Sequence, residues 1–124
     1  MQKQITYILP LLGRYEELAQ SLYDTIESLK KIKDYIKLIV VLDGENWSSI
    51  PLIQMLKFEF EDVLVIEENQ QTGILQILYD KAISEVDTRY IYFGMIGNVL
   101  SKENIEAFMV DPSSFTEIIE GGKK

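Results

Sequence analysis

Apolar residues along this chain fall into short unbroken runs separated by longer stretches with helical spacing. Residues 5–9 form such a run, closed by Pro10, and read as a buried strand. Over residues 15–33 the apolar positions are Leu18, Leu22, Ile26, Leu29 and Ile32, which share one face of a helix. Lys30, Lys31 and Lys33 suit the negative pole of its dipole. A second run over 38–42 leads straight into Asp43-Gly44, a turn signal. Residues 50–60 read as a short helix with Pro51 in its first turn, and 63–66 as a third strand. Thr72 is placed to cap a helix reaching Val86, with Ile74, Ile77, Leu78, Ala82 and Ile83 on its buried side. Residues 89–95 read as a fourth strand, and Ser101 as the cap of a last helix through Val110. Asp111-Pro112-Ser113-Ser114 stops that helix, and residues 113–124, ending Gly121-Gly122-Lys123-Lys124, read as a tail after a domain over 1–112.

Strands and helices alternate strictly, which predicts right-handed βαβ units. The strand runs are continuous rather than alternating, as burial on both faces requires. The expected fold class is therefore α/β, a three-layer α/β/α sandwich around a mainly parallel sheet. A length of 124 residues fits one domain.

In open parallel sheets ligands bind beyond the carboxyl ends of the strands. Four loops meet there, over 10–15, 43–49, 67–73 and 94–101. The first offers Gly13, where backbone can approach a ligand, and Arg14, which can meet a phosphate; a plain strand-to-helix turn with a solvated arginine is the simpler reading of both. The second offers Asp43, Gly44, Glu45 and Asn46. Asp43 suits either hydrogen bonds from a base or ribose, or a turn in which its carboxylate serves backbone N–H groups. Trp47 fits core better than a ligand platform. The third loop, from Glu67 to Gln71, reads as a solvated acidic edge. The fourth offers Gly94, Met95, Ile96, Gly97 and Asn98, of which Asn98 alone brings a side-chain oxygen, and a neutral one.

Composition narrows the chemistry. A net charge of −8 disfavours nucleic acid as a partner. With no cysteine and no histidine, disulfides, thiolate or imidazole metal sites and every histidine-based nucleophilic scheme are excluded. There is no G-x-G-x-x-G and no Walker loop. A phosphoacceptor receiver domain is set aside, because 10–12 and 66–68 lack its acidic pattern. No apolar run approaches a membrane span and the first residues lack a signal peptide, so a cytoplasmic location is expected.

Four segments together resemble the N-terminal, nucleotide-binding half of family 2 glycosyltransferases, which have the GT-A fold. Ile5-Thr6-Tyr7-Ile8-Leu9-Pro10 is similar to that family's V-S-V-I-I-P strand. Lys37 through Gly44 is similar to the strand ending in D-D-G-S. Glu68-Asn69 through Ile83 is similar to the E-N-x-G loop and its helix. Tyr90-Ile91-Tyr92-Phe93 is similar to Y-I-x-F-L-D-x-D-D. The resemblance implies that Pro10 and Asp43 contact the uracil of a UDP-sugar; Gly13, Arg14 and Gly44, read from the loops themselves, complete the nucleotide-binding candidates. It also implies a Mg²⁺ or Mn²⁺ ion, yet the family's acidic pair falls on Met95 and Gly97, and a following Asp on Asn98. Leu42 stands at the first Asp of D-D-G-S, Leu11-Leu12-Gly13 replaces the usual T-Y-N, and Tyr79 stands near an expected arginine. The family's catalytic base lies in an acceptor half with no counterpart here. Two readings follow. One is a donor half, incomplete or inactive alone and belonging to a longer parent chain. The other is a non-catalytic interaction or oligomerisation module that kept the fold and lost the metal site.

Overall fold

The computed structural model describes residues 3–44, 47, 50–98 and 100–121. In chain order the elements are β1 (Ile5–Leu11), α1 (Tyr15–Lys30), β2 (Ile36–Asp43), α2 (Pro51–Glu59), β3 (Val63–Glu68), α3 (Leu75–Ile83), β4 (Tyr90–Phe93), α4 (Lys102–Val110) and β5 (Ile118–Glu120). They build one five-stranded sheet in the order β3-β2-β1-β4-β5. The first four strands are parallel and β5 joins β4 antiparallel, so the expected mixed α/β sandwich is what forms.

Strand β1 lies at the centre and all seven of its residues are buried. Its side chains divide between the two faces, as strand geometry requires. Ile5, Tyr7, Leu9 and Leu11 enter the larger core with α1, α2 and α4, whereas Ile8 enters a smaller core with Leu78 and Ala82 of α3. Three helices thus cover one face and one helix covers the other. Each fully buried leucine or isoleucine contributes roughly 1.5–3 kcal/mol to this arrangement. Trp47 is buried in the larger core, where its ring meets Tyr15 edge-on at 5.9 Å, as its reading as core anticipates.

Pro10 does not end β1 as expected. It continues the strand opposite Val41 of β2. On the other side β4 stops at Phe93, the partner of Ile8, and Gly94 donates to the Ile8 carbonyl at 2.9 Å. Beyond that bond β1 has a neighbour on one side only. A proline without an N–H is tolerated in such a local edge.

Helix α3 also departs from the expected pattern. It starts at Leu75 rather than at a Thr72 cap, and Ile74 and Ile77 are exposed while Leu78 and Ala82 are buried. Only a narrow stripe faces the sheet because α3 covers that face alone. Helix α4 matches expectation: the Ser101 hydroxyl accepts from the Asn104 N–H at 3.1 Å, a side-chain cap.

The segment after Pro112 supplies a strand where sequence suggested a tail. Ile118 pairs with Tyr92 and is buried, and the Phe115 ring stacks on Tyr92 at 6.4 Å. Three residues are too short to announce a strand by periodicity, so contacts with β4 decide it. Gly122, Lys123 and Lys124 lie outside the described residues. Deleting 113–124 should lower unfolding free energy by roughly 2–4 kcal/mol, the cost of losing buried isoleucine and phenylalanine packing. Urea denaturation of the two lengths measures it, and superimposable curves would show that this segment carries no stability.

Candidate functional site

The sheet order reverses at β1. Strands β2 and β3 extend to one side and β4 lies on the other. In an open α/β sheet the ligand crevice opens outside the carboxyl ends at such a reversal, here between β1 and β4. The loops after β1, β2, β3 and β4 frame it.

Asp43 ends β2 and is buried. Its Oδ1 accepts from the Thr72 N–H at 2.8 Å and from the Thr72 hydroxyl at 2.9 Å, and its Oδ2 accepts from the Gly73 N–H at 2.8 Å. One carboxylate therefore binds the β3–α3 loop to the end of β2. Next to it, Gly44 donates to the Glu68 carbonyl at 2.9 Å, so the second and third loops meet as one unit. Glu68 pairs with Lys81 at 2.6 Å, and that ammonium holds its carboxyl below the usual carboxylate range. Asp43 thus serves backbone N–H groups of a neighbouring loop. Among the described residues, three donors reach its four or so lone-pair positions. Glu45 and Asn46 lie outside the described residues.

The first loop is open. Gly13 and Arg14 are exposed, with Gly13 at φ +97° in the strand-to-helix turn. The Arg14 guanidinium reaches Glu16 at only 3.9 Å, with both side chains in solvent, a pair worth little. Among the described residues, Arg14 is a cation at the crevice without a strong competing partner. Pro10, by contrast, is buried inside β1.

The loop after β4 is built differently from a carboxylate-bearing one. Residues Met95 to Asn98 make a tight turn closed by Asn98 N–H donating to the Met95 carbonyl at 3.0 Å. Gly97, third in that turn, has φ +89°, the conformation a type II turn demands at this place. Hydroxyls from three elements hold the turn. Tyr7 donates to the Asn98 carbonyl at 2.5 Å, Tyr79 donates to the Gly94 carbonyl at 2.6 Å, and Thr25 accepts from the Gly97 N–H at 2.8 Å. Gly94 is glycine for a steric reason: a Cβ there would stand 2.3 Å from the Tyr7 ring. Burial, then the neighbouring Tyr92 and Tyr79, push the Tyr7 phenol well above the usual tyrosine range, against the opposing pull of the Met95 N–H. Tyr79 is pushed up chiefly by burial. Both phenols therefore stay protonated, and so remain donors, throughout the neutral range.

A Mg²⁺ or Mn²⁺ ion does not fit this donor set. Hard cations need several oxygen ligands including carboxylates. The turn brings the exposed amide of Asn98 and three carbonyls, those of Gly94, Met95 and Asn98, that already accept hydrogen bonds. Among the described residues no group of three or more acidic, histidine or cysteine side chains could hold a metal. Sequence reasoning missed Thr25, Tyr7 and Thr72. For Thr25 a signal existed, since it lies on the apolar stripe of α1 between Leu22 and Leu29 and is itself buried.

No protein-family model matches the chain, and no curated protein does. Solved structures do. S. aureus TarS 1-349 in complex with UDP aligns with a TM-score of 0.74 at 13% identity, over 90% of this chain and 32% of that one. The same protein in complex with UDP-GlcNAc gives 0.70 at 14% identity, over 90% and 31%. The mannosyltransferase PcManGT from Pyrobaculum calidifontis, in complex with GDP-Man and Mn²⁺, gives 0.66 at 12% identity, over 89% and 32%. The fold is GT-A-like, and the chain spans about a third of the length of these structures.

Replacing Asp43 with Asn turns one acceptor oxygen into a donor group facing N–H or O–H donors. D43N should cost about 1–3 kcal/mol and several degrees of melting temperature. Thermal denaturation followed by circular dichroism measures it, and an unchanged melting temperature would refute the clamp.

Proposed function

We propose that this chain is a donor-binding module of glycosyltransferase type. It takes a UDP-sugar at the carboxyl edge of the sheet without a divalent cation, and it does not transfer the sugar by itself. The observation that carries this reading is the GT-A-like fold over 90% of the chain, shared with a protein solved with UDP and with UDP-GlcNAc. Within that frame Gly13 and Arg14 face the diphosphate. The Asp43–Gly73 clamp forms one wall, beside which the base lies. Arg14 supplies the positive charge that a metal would otherwise bring. Catalysis would need a base to activate the acceptor. Histidine, the commonest such group, is absent from the sequence.

A second reading, a protein-interaction module, has its own observation. On α4 Met109 and Val110 are exposed, Val110 at 87%, beside an apolar groove lined by Ile5, Tyr35 and Ile105. Exposed apolar surface of this kind often marks an interface.

Titration of the isotope-labelled chain with UDP and UDP-GlcNAc, in Mn²⁺ and in EDTA, separates the two. Amide shifts at Gly13, Arg14, Gly44 and Gly73, alike in both buffers, are expected. Arg14→Ala should weaken binding roughly fivefold, about 1 kcal/mol for an exposed charged hydrogen bond. No shift at these amides at millimolar UDP would remove the donor reading. Concentration-dependent sedimentation in that case would favour the interaction module.

A further inference from the structure

The three hydroxyls around the β4–α4 turn come from separate parts of the chain, yet they converge on five consecutive residues. Tyr7 lies on the central strand, Thr25 on α1, and Tyr79 on α3 across the sheet. The Tyr7 ring is fully buried and stacked on Tyr92 at 5.2 Å. The Tyr79 ring is fixed edge-on against Phe93 at 4.9 Å. The Thr25 hydroxyl donates to the Ser21 carbonyl at 2.7 Å while it accepts from Gly97, so both of its roles are used. None of the three is a free rotor. They are fixed points, and the turn is bonded to all of them.

Where they hold the turn matters. Thr25 is ten residues into α1, about 15 Å along the helix from its start at the carboxyl edge. A turn bonded to Thr25 is drawn back beside the helix rather than projecting beyond the sheet. We propose that Tyr7, Thr25 and Tyr79 are positioning residues that lock the Gly94–Asn98 turn in this withdrawn conformation. The turn is thereby made indifferent to divalent cations, and restoring acidic side chains at 95 and 97 does not create a metal site. Gly97 adds its own barrier, since an aspartate there must adopt φ +89°, which side chains with a Cβ rarely do. The proposal deepens the donor reading, on which its relevance to ligand binding rests, but the lock itself is testable without any nucleotide.

Hydrogen exchange on the full chain reads the lock directly. In the unmodified protein the Gly97 amide should be protected, at the same rate in EDTA and in millimolar Mn²⁺, with no paramagnetic broadening over 95–98. Thr25→Val removes the acceptor and should speed Gly97 exchange roughly fivefold to tenfold, the equivalent of one hydrogen bond. Thr25→Ser keeps the oxygen and should restore protection, which a general packing defect would not do. Since Thr25 is buried, Tyr79→Phe provides a second variant that preserves the ring; it should loosen exchange at Met95 and Gly97 while the melting transition stays cooperative. The Met95→Asp/Gly97→Asp double variant should still show no Mn²⁺ broadening. Free exchange at Gly97 in the unmodified chain, unchanged exchange in both Thr25→Val and Tyr79→Phe, or Mn²⁺ binding by the double variant would each overturn the lock. A protected, cation-indifferent turn in a chain that ignores UDP-GlcNAc would leave the lock standing and remove the donor reading alone.

Discussion

A phenol buried at the centre of the sheet constrains everything around the β4 end. Tyr7 sits on the middle strand with strands on both sides, and its ring has no exposure. A hydroxyl in that position must find a partner or cost several kcal/mol. Its oxygen finds the Asn98 carbonyl, which forces the chain leaving β4 to fold back over the ring. The ring in turn requires Gly94, because any side chain there would collide with it. The local edge that admits Pro10 begins where β4 gives way to this returning backbone. One buried polar group thus sets the length of β4, the identity of residue 94 and the path into α4.

The other half of the carboxyl edge is organised by a carboxylate in the same spirit. Asp43 gathers three donors from Thr72 and Gly73 and so joins β2 to the loop before α3. Between them, Tyr7 and Asp43 fix both flanks of the crevice by hydrogen bonds to backbone, which are directional and tolerate little drift. A crevice fixed by the protein's own bonds does not need an ion to organise it. The same bonds consume oxygens that an ion would have used. Preorganisation and a donor set poorly suited to a cation are therefore two results of the same bonds.

The strands were legible because buried parallel strands are continuous apolar runs, and four of the five were found from that alone. The fifth has three residues, and only its pairing with Tyr90 to Tyr92 makes it a strand. The extent of α3 was overread because apolar spacing says which residues share a face, not how much of that face another layer covers; Ile74 and Ile77 remain in solvent. At the candidate site the residue types were legible and their partners were not. Asp43 meets Thr72 across 29 positions, and Thr25 meets Gly97 across 72. No local pattern encodes such pairs. The missing carboxylates at 95 and 97 could be read directly, but not the hydroxyls that hold the turn in their absence.

The division of labour across the edge bears on what this chain can do. The first loop, with Gly13 and Arg14, makes few bonds to the body and stays exposed, whereas the other described loops are tied down. Loops that bind ligands are generally drawn from the less stable parts of a fold. An exposed arginine at the carboxyl edge of the sheet suits an anionic ligand better than the net charge of −8 suggests, because local fields at a few ångströms outweigh distant screened charge. In the donor-binding reading proposed above, recognition sets the Arg14 guanidinium against walls fixed by hydrogen bonds. Among the described residues, the edge brings no cluster of side chains that could hold a metal.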